Sequence, residues 1–368
     1  MKKRPLKDRI LIISRQSDKP TLDIRLLREW LRENCPELEC VVLSRRLEGR
    51  SKLGYIPHMF IQMSLMASSR VVVLDGYCIA ASVLEHRPET KIVQIWHALA
   101  AIKQFGYQAV DKPSGRSREI AELLCMHKNY DFVIAPGEVT GRHFSECFQV
   151  SEEKLKYICL PRVDEILRPD RILPGDFRGN VDEFREHVRA KYGVSDGREM
   201  ILYVPTFRKD KNVKLRGLIR ALHETQFKLV IKPHPVYDGL DWEGISPDEE
   251  PDIIVGSELN SYQWLQVCDR IITDYSALGI EAALLGKPVY YYVYDIEDYR
   301  VNVGLNMDPS VELPSFTAVE AGELADILSR EYDYEQLDAF RRKYVSADTS
   351  HCTEDLGSFI AGLAKEVK

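Results

Sequence analysis

Short apolar runs and amphipathic stretches alternate along the first half of the chain. The apolar runs predict strands at 10–13, 40–43, 71–74, 91–96, 132–135 and 157–159. Between them, apolar residues recur at helical spacing and predict helices at 22–33, 57–66, 79–85, 118–127 and 138–147. Strands that alternate with helices in this way favour a parallel sheet covered by helices.

The alternation breaks between residues 161 and 197 and then resumes. The segment PRVDEILRPDRILPGDFRG is rich in proline and charge, which indicates a domain boundary near 165–178. Beyond it, the pattern predicts strands at 200–204, 228–231, 252–255, 270–273 and 289–293, and helices at 181–192, 214–224, 259–267, 276–285, 319–330, 334–345 and 354–366. The sequence therefore predicts an α/β fold of two Rossmann-like, doubly wound domains, at 1–168 and 178–350, with a ligand cleft between them and a terminal helical segment at 351–368.

Charge is distributed unevenly over the 368 residues. The net charge of −7 argues against a general nucleic-acid-binding protein. Residues 1–165 hold 26 Lys and Arg against 21 Asp and Glu, a balance of +5, so the remainder holds 24 against 36, or −12. The basic groups of the first half are either solvated surface or attract an anionic membrane or substrate. They cluster at Lys2-Lys3-Arg4, Arg45-Arg46, Arg50-Lys52 and Arg116-Arg118.

Several classes of protein lack support in this sequence. The eight cysteines are scattered, without a CxxC pair or a spacing suited to zinc, and are typical of reduced cytosolic thiols. Neither a dinucleotide-binding glycine motif nor a P-loop is present, so we predict no cofactor and no metal. The first apolar run is too short for a signal peptide, and no run is long enough for a membrane-spanning helix.

Two histidines lie at predicted strand ends. His97 follows the strand at 91–96, with Lys103 and Gly106 shortly after it. A histidine in such a place can act as a general base, although its position alone favours a satisfied, half-buried ring. His234 lies in Lys232-Pro233-His234-Pro235, where two prolines stiffen the turn and fix the direction of the ring.

Two further polar clusters end strands of the second half. Thr206-Phe207-Arg208 offers a guanidinium fork that can bind phosphate or form an ordinary ion pair. Asp274-Tyr275-Ser276 precedes a predicted helix, whose start favours an anion, and Ser276 is either part of that site or only an N-cap. Glu281, inside the same helix, is either a ribose ligand or a residue with a local partner.

The sequence resembles the CDP-glycerol glycerophosphotransferases, the primases and polymerases of wall teichoic acid and related polymers. The resemblance lies within about residues 90–300, in the blocks WHALAAIKQFGY, PRVDEIL, ILYVPTFRKD, LVIKPHP and ITDYSALGIEAALLGKPVYYYVYDIEDY. It implies a GT-B-like fold whose last helix crosses back to the first domain. It also implies transfer of glycerol phosphate or ribitol phosphate from a CDP-alditol to a lipid-linked acceptor, with release of CMP. Such enzymes lie peripherally on the inner face of the cytoplasmic membrane.

The resemblance also assigns roles to residues. His97 takes the position of the base that activates the acceptor hydroxyl, and His234 that of the histidine beside the donor diphosphate. Lys103 and Gly106 fall on the acceptor side. The donor-binding positions are Thr206, Arg208, Lys232, Asp274, Ser276, Ala277 and Glu281.

This chain departs from the family pattern at three points. Ala98 follows His97 where glycine is usual, and Ala277 follows Ser276 where a second serine is usual. The Arg-Gly pair of the family is interrupted, since VNV separates Arg300 from Gly304. These departures concern the choice of alditol more than the reaction class.

The stretch from Tyr55 to Met66 is rich in methionine and aliphatic residues and follows Arg45, Arg46, Arg50 and Lys52. It is either a helix in the lipid headgroup layer or a core helix of the first domain. Two other functions stay open for the whole chain: a GT-B glycosyltransferase or epimerase that uses a UDP-sugar, and a noncatalytic scaffold in polymer assembly.

Overall fold

The computed structural model describes residues 4–46, 52–194, 197–208, 213–223, 227–234, 240–247, 250 and 252–366. The chain divides into two compact units. Unit 1 comprises Met1–Asp164 and Lys343–Lys368, and unit 2 comprises Glu165–Arg342.

Unit 1 contains a six-stranded parallel sheet in the order β2-β1-β3-β4-β5-β6. Its central strands are almost wholly buried apolar residues, as expected for a sheet covered on both faces. The strands are β1 (Lys7–Ser14), β2 (Glu39–Ser44), β3 (Ser69–Leu74), β4 (Lys91–Gln94), β5 (Phe132–Ala135) and β6 (Leu155–Tyr157). The helices of this part of the chain are α1 (Leu22–Asn34), α2 (Lys52–Met66), α3 (Ile79–Val83), α4 (Arg118–Leu123), α5 (Glu138–Phe148) and α6 (Arg162–Leu167).

Unit 2 contains a second six-stranded parallel sheet in the order β12-β11-β10-β7-β8-β9. The strands are β7 (Met200–Val204), β8 (Lys228–Ile231), β9 (Ile253–Val255), β10 (Arg270–Thr273), β11 (Val289–Tyr292) and β12 (Thr317–Ala318). The helices are α7 (Val181–Lys191), α8 (Leu215–His223), α9 (Ser261–Val267), α10 (Leu278–Leu284), α11 (Ile296–Asn302), α12 (Pro309–Glu312), α13 (Ala321–Leu328) and α14 (Tyr334–Tyr344). The predicted α/β class with two doubly wound, Rossmann-like sheets is confirmed.

The last helix, α15 (Cys352–Glu366), belongs to unit 1 and packs on α1. Gly357 allows the close approach, because a Cβ there would lie 2.2 Å from the Trp30 ring. Both divisions between the units fall inside helices, one within α6 and one within α14. The predicted domain limits at 168, 178 and 350 differ from these positions. A boundary inside a helix is not marked by proline or glycine, so the sequence gives no signal there.

Some predicted elements end elsewhere. The strand predicted at 91–96 ends at Gln94, and Trp96 adopts a left-handed φ of 56°. The helix predicted at 118–127 ends at Leu123, since Cys125 and His127 are also left-handed. Pro57 lies inside α2, which begins at Lys52.

Each sheet has a point at which the chain reverses its direction of winding. In unit 1 this point lies between β1 and β3, and in unit 2 between β7 and β10. Open α/β sheets bind ligands outside the carboxyl ends of the strands at such switch points. The residues that follow these four strands therefore form the candidate sites.

Candidate functional site

His97 is held by the loop that follows β3. Its Nδ1 lies 2.8 Å from the Asp75 carbonyl oxygen. A carbonyl can only accept a hydrogen bond, so Nδ1 carries the proton and Nε2 keeps a lone pair. The ring packs against Trp96 with the two centroids 4.2 Å apart, and Trp96 stacks on Phe105 at 4.3 Å. The imidazole is thus fixed in one orientation, with Nε2 as the nitrogen that can accept a proton.

The surroundings of His97 favour the neutral ring. Burial lowers the pKa of His97 to about 4, and the positive charges of Arg162 and Lys103 act in the same direction. The hydrogen bond to Asp75 and the charge of Asp23 raise the pKa but do not offset these effects. His97 is therefore unprotonated at neutral pH, as a general base must be before it acts.

An ion pair that sequence reasoning missed supports the loop of His97. Arg162 Nε donates to Asp23 Oδ2 at 2.9 Å, and the Arg162 backbone N–H donates to Asp23 Oδ1 at 2.8 Å. Arg162 Nη2 also donates to the His97 carbonyl oxygen at 3.1 Å. Both side chains are almost fully buried. The only sequence signal was the PRVDEIL block, which contains Arg162 but gives no indication of its partner.

Asp75 is a second residue that the sequence did not single out. Ser14 Oγ donates to its Oδ2 at 2.6 Å, whereas its Oδ1 is buried without a hydrogen-bond partner. Burial raises the pKa of Asp75 to about 6, although the Ser14 hydrogen bond lowers it. Asp75 therefore retains unused hydrogen-bonding capacity beside the candidate base.

The two residues predicted for the acceptor side differ in character. Lys103 is partly buried and lies close enough to affect the charge of His97. Gly106 has a left-handed φ of 56°, and a Cβ there would lie 2.1 Å from the Cys147 carbonyl oxygen. Packing against α5 explains the glycine without any contact with a substrate.

In unit 2, Asp274 is the centre of a closed hydrogen-bond network. The carboxylate is fully buried and accepts from the Thr206 backbone N–H at 2.9 Å and from Thr206 Oγ1 at 2.5 Å. It also accepts from Arg208 Nη1 and from the Tyr275 backbone N–H, both at 2.6 Å. These bonds join the ends of β7 and β10 at the switch point.

Arg208 is shared between two carboxylates. Besides Asp274, it contacts Asp295, with Nε at 2.8 Å from Oδ2 and Nη2 at 3.1 Å from Oδ1. Burial alone would lower the pKa of Arg208, but the two carboxylates outweigh it and raise the pKa well above its usual value. The sequence predicts that this guanidinium binds phosphate. In the structure its donors already bind Asp274, Asp295 and the Thr206 carbonyl oxygen, so a phosphate must displace one of these partners.

Lys232 and His234 follow β8 and are both partly exposed. The His234 ring lies 5.9 Å from the ring of Phe207, an exposed aromatic residue beside Thr206. Burial lowers the pKa of Lys232, which remains a cation near the carboxyl ends of β7 and β8. Pro235, the second proline of the predicted stiff turn, lies outside the described residues, as does Arg50 of the basic cluster before α2.

The start of α10 holds the remaining donor-side residues. Ser276 lies one residue before the N-cap position, and its Oγ accepts from the Leu278 N–H at 3.3 Å, so it bonds to the start of the helix without being its N-cap. Ala277 takes the N-cap position and has no polar side chain to offer. Glu281 is 3% exposed and lies inside the unit. Its burial favours the local-partner explanation over contact with a ribose.

The described residues contain neither a metal-binding cluster nor a membrane-spanning helix. Within those ranges, no three or more His, Cys, Asp or Glu side chains are grouped so that they could bind a metal ion. Over the same part of the chain, every helix is too short or too polar to cross a bilayer.

Residues 2–362 match the model of the family described as CDP-glycerol:poly(glycerophosphate) glycerophosphotransferase. The chain belongs to this family. The resemblance predicted from the motifs is thereby confirmed, and it extends over nearly the whole chain rather than residues 90–300 alone.

Curated relatives and solved structures are similar to this chain over most of their length. The teichoic acid ribitol-phosphate primase of Bacillus spizizenii (strain ATCC 23059 / NRRL B-14472 / W23) is 29% identical, over 96% of this chain and 91% of the relative. The teichoic acid glycerol-phosphate primase of Bacillus subtilis (strain 168) is 26% identical, over 83% of this chain and 77% of the relative. The wall teichoic acid polymerase TagF superposes with a TM-score of 0.72 at 19% identity, over 98% of this chain and 90% of that structure.

Likeness of fold extends further than the family. A UDP-N-acetylglucosamine 2-epimerase from Rickettsia bellii superposes with a TM-score of 0.63 at 12% identity, over 99% of this chain and 98% of that structure. At such identity the likeness concerns the fold alone. It agrees with the GT-B-like architecture and carries no information about the donor.

Proposed function

We propose that the protein transfers glycerol phosphate or ribitol phosphate from a CDP-alditol to a hydroxyl group of a lipid-linked acceptor and releases CMP. The reaction would serve the synthesis of teichoic acid or a related cell-surface polymer. One observation of this chain carries the proposal beyond its family membership. His97 is a neutral imidazole whose Nδ1–H is held by the Asp75 carbonyl and whose Nε2 can accept a proton.

In the proposed reaction, Nε2 of His97 accepts the proton of the acceptor hydroxyl. The hydroxyl oxygen then forms a bond to the phosphorus that bears the alditol, while the bond from that phosphorus to the bridging oxygen breaks and CMP leaves. Such a base contributes roughly 10²–10⁴-fold to a rate. An anionic substrate beside the ring would raise the pKa of His97 from about 4 towards neutral pH, because negative charge favours the imidazolium.

We assign the donor diphosphate to the residues of unit 2 that are still accessible. Lys232 and His234 are partly exposed hydrogen-bond donors at the carboxyl end of β8. Ser276 offers a partly exposed hydroxyl at the end of β10. Thr206, Arg208 and Asp274 are assigned an indirect role: their network fixes the ends of β7 and β10 beneath the donor. Transfer would rest on positioning and electrostatics rather than on covalent catalysis.

The acceptor is lipid-linked in this proposal, so the protein would act peripherally on the inner face of the cytoplasmic membrane. An apolar patch on α2 supports this location, since Ile56, Phe60 and Ile61 are 43%, 59% and 50% exposed. Arg45 and Arg46 precede the helix and favour anionic lipid. Flotation with phosphatidylglycerol vesicles should recover the protein, and phosphatidylcholine vesicles should recover less. Failure to bind either would contradict the location.

The proposed reaction is tested by supplying a short lipid-linked acceptor analogue with CDP-glycerol, CDP-ribitol or UDP-N-acetylglucosamine in turn. We expect CMP and an acceptor that is heavier by one or more alditol phosphate units in the mass spectrum with one CDP-alditol. Release of UDP from the UDP-sugar would instead indicate a glycosyltransferase or epimerase. Tight binding of a CDP-alditol without CMP release on any acceptor would indicate the scaffold.

A further inference from the structure

We propose that unit 1 contains a binding site for a phosphate group of the acceptor, formed by Arg15, Arg45 and Arg116 around the rings of Tyr55 and Tyr77. The ligand would be a phosphodiester or phosphomonoester on a polyol. This inference rests on the proposed function and deepens it, because it identifies which part of the acceptor this unit recognises and where.

The cluster lies at the switch point of the unit 1 sheet. Arg15 follows β1, and Tyr77 lies in the loop after β3. The Arg45 backbone N–H donates to the Ser14 carbonyl at 3.1 Å, so the end of β2 joins the same edge. This is the position at which doubly wound sheets bind ligands.

The three guanidinium groups surround two aromatic rings. Arg15 Nη1 donates to the Tyr77 carbonyl at 2.6 Å, and the Arg116 guanidinium carbon lies 5.3 Å from the centre of the Tyr77 ring. The Arg45 guanidinium carbon lies 5.9 Å from the centre of the Tyr55 ring. The charge of Arg15 lowers the pKa of both tyrosines, so Arg15 lies near both rings. Guanidinium groups beside aromatic rings are suited to binding planar oxyanions.

Two buried nitrogen atoms of the cluster have no hydrogen-bond partner. Arg15 Nε is buried and has no acceptor, and His58 Nε2, on a ring 5.1 Å from that of Tyr55, is also buried without a partner. Neither Arg15 nor Arg116 forms an ion pair with any residue that the structure describes. Arg162, by contrast, has Asp23 as its carboxylate partner. A buried N–H without an acceptor is costly, and a phosphate oxygen would supply that acceptor.

The same two loops hold the candidate base. The side-chain amide of Gln16, next to Arg15, lies 3.1 Å from His97 Nδ1. Tyr77 is two residues beyond Asp75, whose carbonyl oxygen lies 2.8 Å from His97 Nδ1. A phosphate bound at Arg15 would therefore position the acceptor beside the imidazole that removes its proton.

A lipid headgroup offers similar chemistry, and the apolar patch on α2 is on the same helix as Tyr55 and His58. The observations favour the acceptor phosphate, because the unused nitrogens of Arg15 and His58 are buried rather than presented at the surface. A headgroup in the plane of a membrane would contact exposed cations first.

Binding can be measured without turnover, by calorimetric titration of the full chain with glycerophosphoglycerol, a phosphodiester that has no lipid chain. We expect Arg15→Gln to weaken binding about tenfold or more, as the loss of a charge-assisted hydrogen bond does. Arg15→Lys should recover part of the affinity, and Arg116→Gln, at an exposed position, should cause a smaller loss. Arg142→Gln, at an exposed position on α5, is the matched control and should not change the affinity. Thermal unfolding of each variant shows that the fold is retained.

Unchanged affinity in folded Arg15→Gln and Arg116→Gln proteins would overturn the site. Loss of binding to phosphatidylglycerol vesicles, with unchanged affinity for glycerophosphoglycerol, would assign the cluster to the membrane instead. In turnover, Arg15→Gln should raise KM for the acceptor and leave KM for the CDP-alditol unchanged. If the unaltered protein fails to turn over any CDP-alditol, the proposed function fails, while the titration still decides whether the phosphate site exists.

Discussion

The two units place the same kind of residue pair at the switch point of their sheets but use it differently. In unit 1, Ser14 at the end of β1 donates to Asp75 after β3 at 2.6 Å. In unit 2, Thr206 after β7 donates to Asp274 after β10 at 2.5 Å. A hydroxyl from one strand end and a carboxylate from the neighbouring strand end thus join the two halves of each sheet.

The carboxylates differ in how much of their bonding capacity is used. Asp274 accepts from Thr206, Tyr275 and Arg208, and Asp295 occupies the rest of the Arg208 fork. Asp75 leaves one oxygen without a partner, and its pKa is raised to about 6 by burial. The hydrogen-bond network of unit 2 is satisfied within the protein, which suits a structural role. The network of unit 1 leaves a carboxylate oxygen without a partner, which suits a site where a ligand supplies one. Polar residues at equivalent strand ends therefore need not share a role.

The largest expected effect concerns the base of unit 1. His97→Ala should reduce CMP release by roughly 10²–10⁴-fold, because the acceptor hydroxyl loses the group that accepts its proton. The stability of the variant, measured by chemical denaturation, should stay close to that of the unaltered protein.

His223→Ala is the control for this change, since His223 is exposed at the end of α8. It should leave CMP release unchanged. Near-normal CMP release from a folded His97→Ala protein would remove the base role.

The next largest effect concerns the hydrogen-bond network around Asp274 in unit 2. Asp274→Asn should lower the free energy of unfolding by about 3–5 kcal/mol, because it removes one of the two carboxylates that hold buried Arg208. Urea denaturation measures the loss. Asp298→Asn, at an exposed position on α11, should change the stability by no more than about 0.5 kcal/mol. A folded Asp274→Asn protein of unchanged stability but weakened CDP-alditol affinity would show that Asp274 contacts the donor directly.

Most of the fold could be predicted from the sequence, because the strands are buried on both faces and read as continuous apolar runs. β12 was missed, since a strand of two residues, Thr317–Ala318, leaves no pattern. The end of α4 was also missed: Cys125, His127 and Asn129 take left-handed conformations without a glycine to indicate them.

Only part of the candidate site could be predicted, namely the residues that have a local signal in the sequence. His97 and His234 were found because each follows an apolar run, which is a local signal. Asp75 was missed, since Asp-Gly after a strand also fits an ordinary turn. The pair of Asp23 with Arg162 joins residues 139 positions apart, and no spacing rule links them. Sequence shows which residues end strands, but not which of them are already bonded to each other.

The dependence of stability on pH tests the contrast between the carboxylates of Asp75 and Asp274. The pKa of Asp75 is raised from 3.8 to about 6 in the folded protein, so between these values the folded state binds a proton that the unfolded state does not. This term stabilises the protein at low pH and is lost as the pH rises through 6. Asp75→Asn removes it. The stability of the variant relative to the unaltered protein should therefore increase by about 2.4 kcal/mol between pH 4 and pH 7.

Denaturation across this pH range measures the difference between the two proteins. Comparison with the unaltered protein cancels the contributions of His97 and His127, whose pKa values are lowered by burial and act in the opposite direction. A difference that does not vary with pH would show that Asp75 titrates normally and that its buried oxygen has a partner in solution.

The smallest expected effect concerns the ion pair of Arg162 with Asp23 beside His97. Here the direction of the change in the His97 pKa matters more than its size. Arg162 lowers the pKa of His97, and Asp23 raises it. Arg162→Met should therefore raise the pKa of the imidazole and Asp23→Asn should lower it, as followed by NMR titration of the ring. The acid limb of the pH profile for CMP release should move in the same two directions. Loss of packing alone would disturb both variants alike, since each breaks the same contact between α1 and α6. Shifts of the His97 pKa in opposite directions would show that the ion pair acts on His97 through charge. Shifts in the same direction would show that the ion pair has only a structural role.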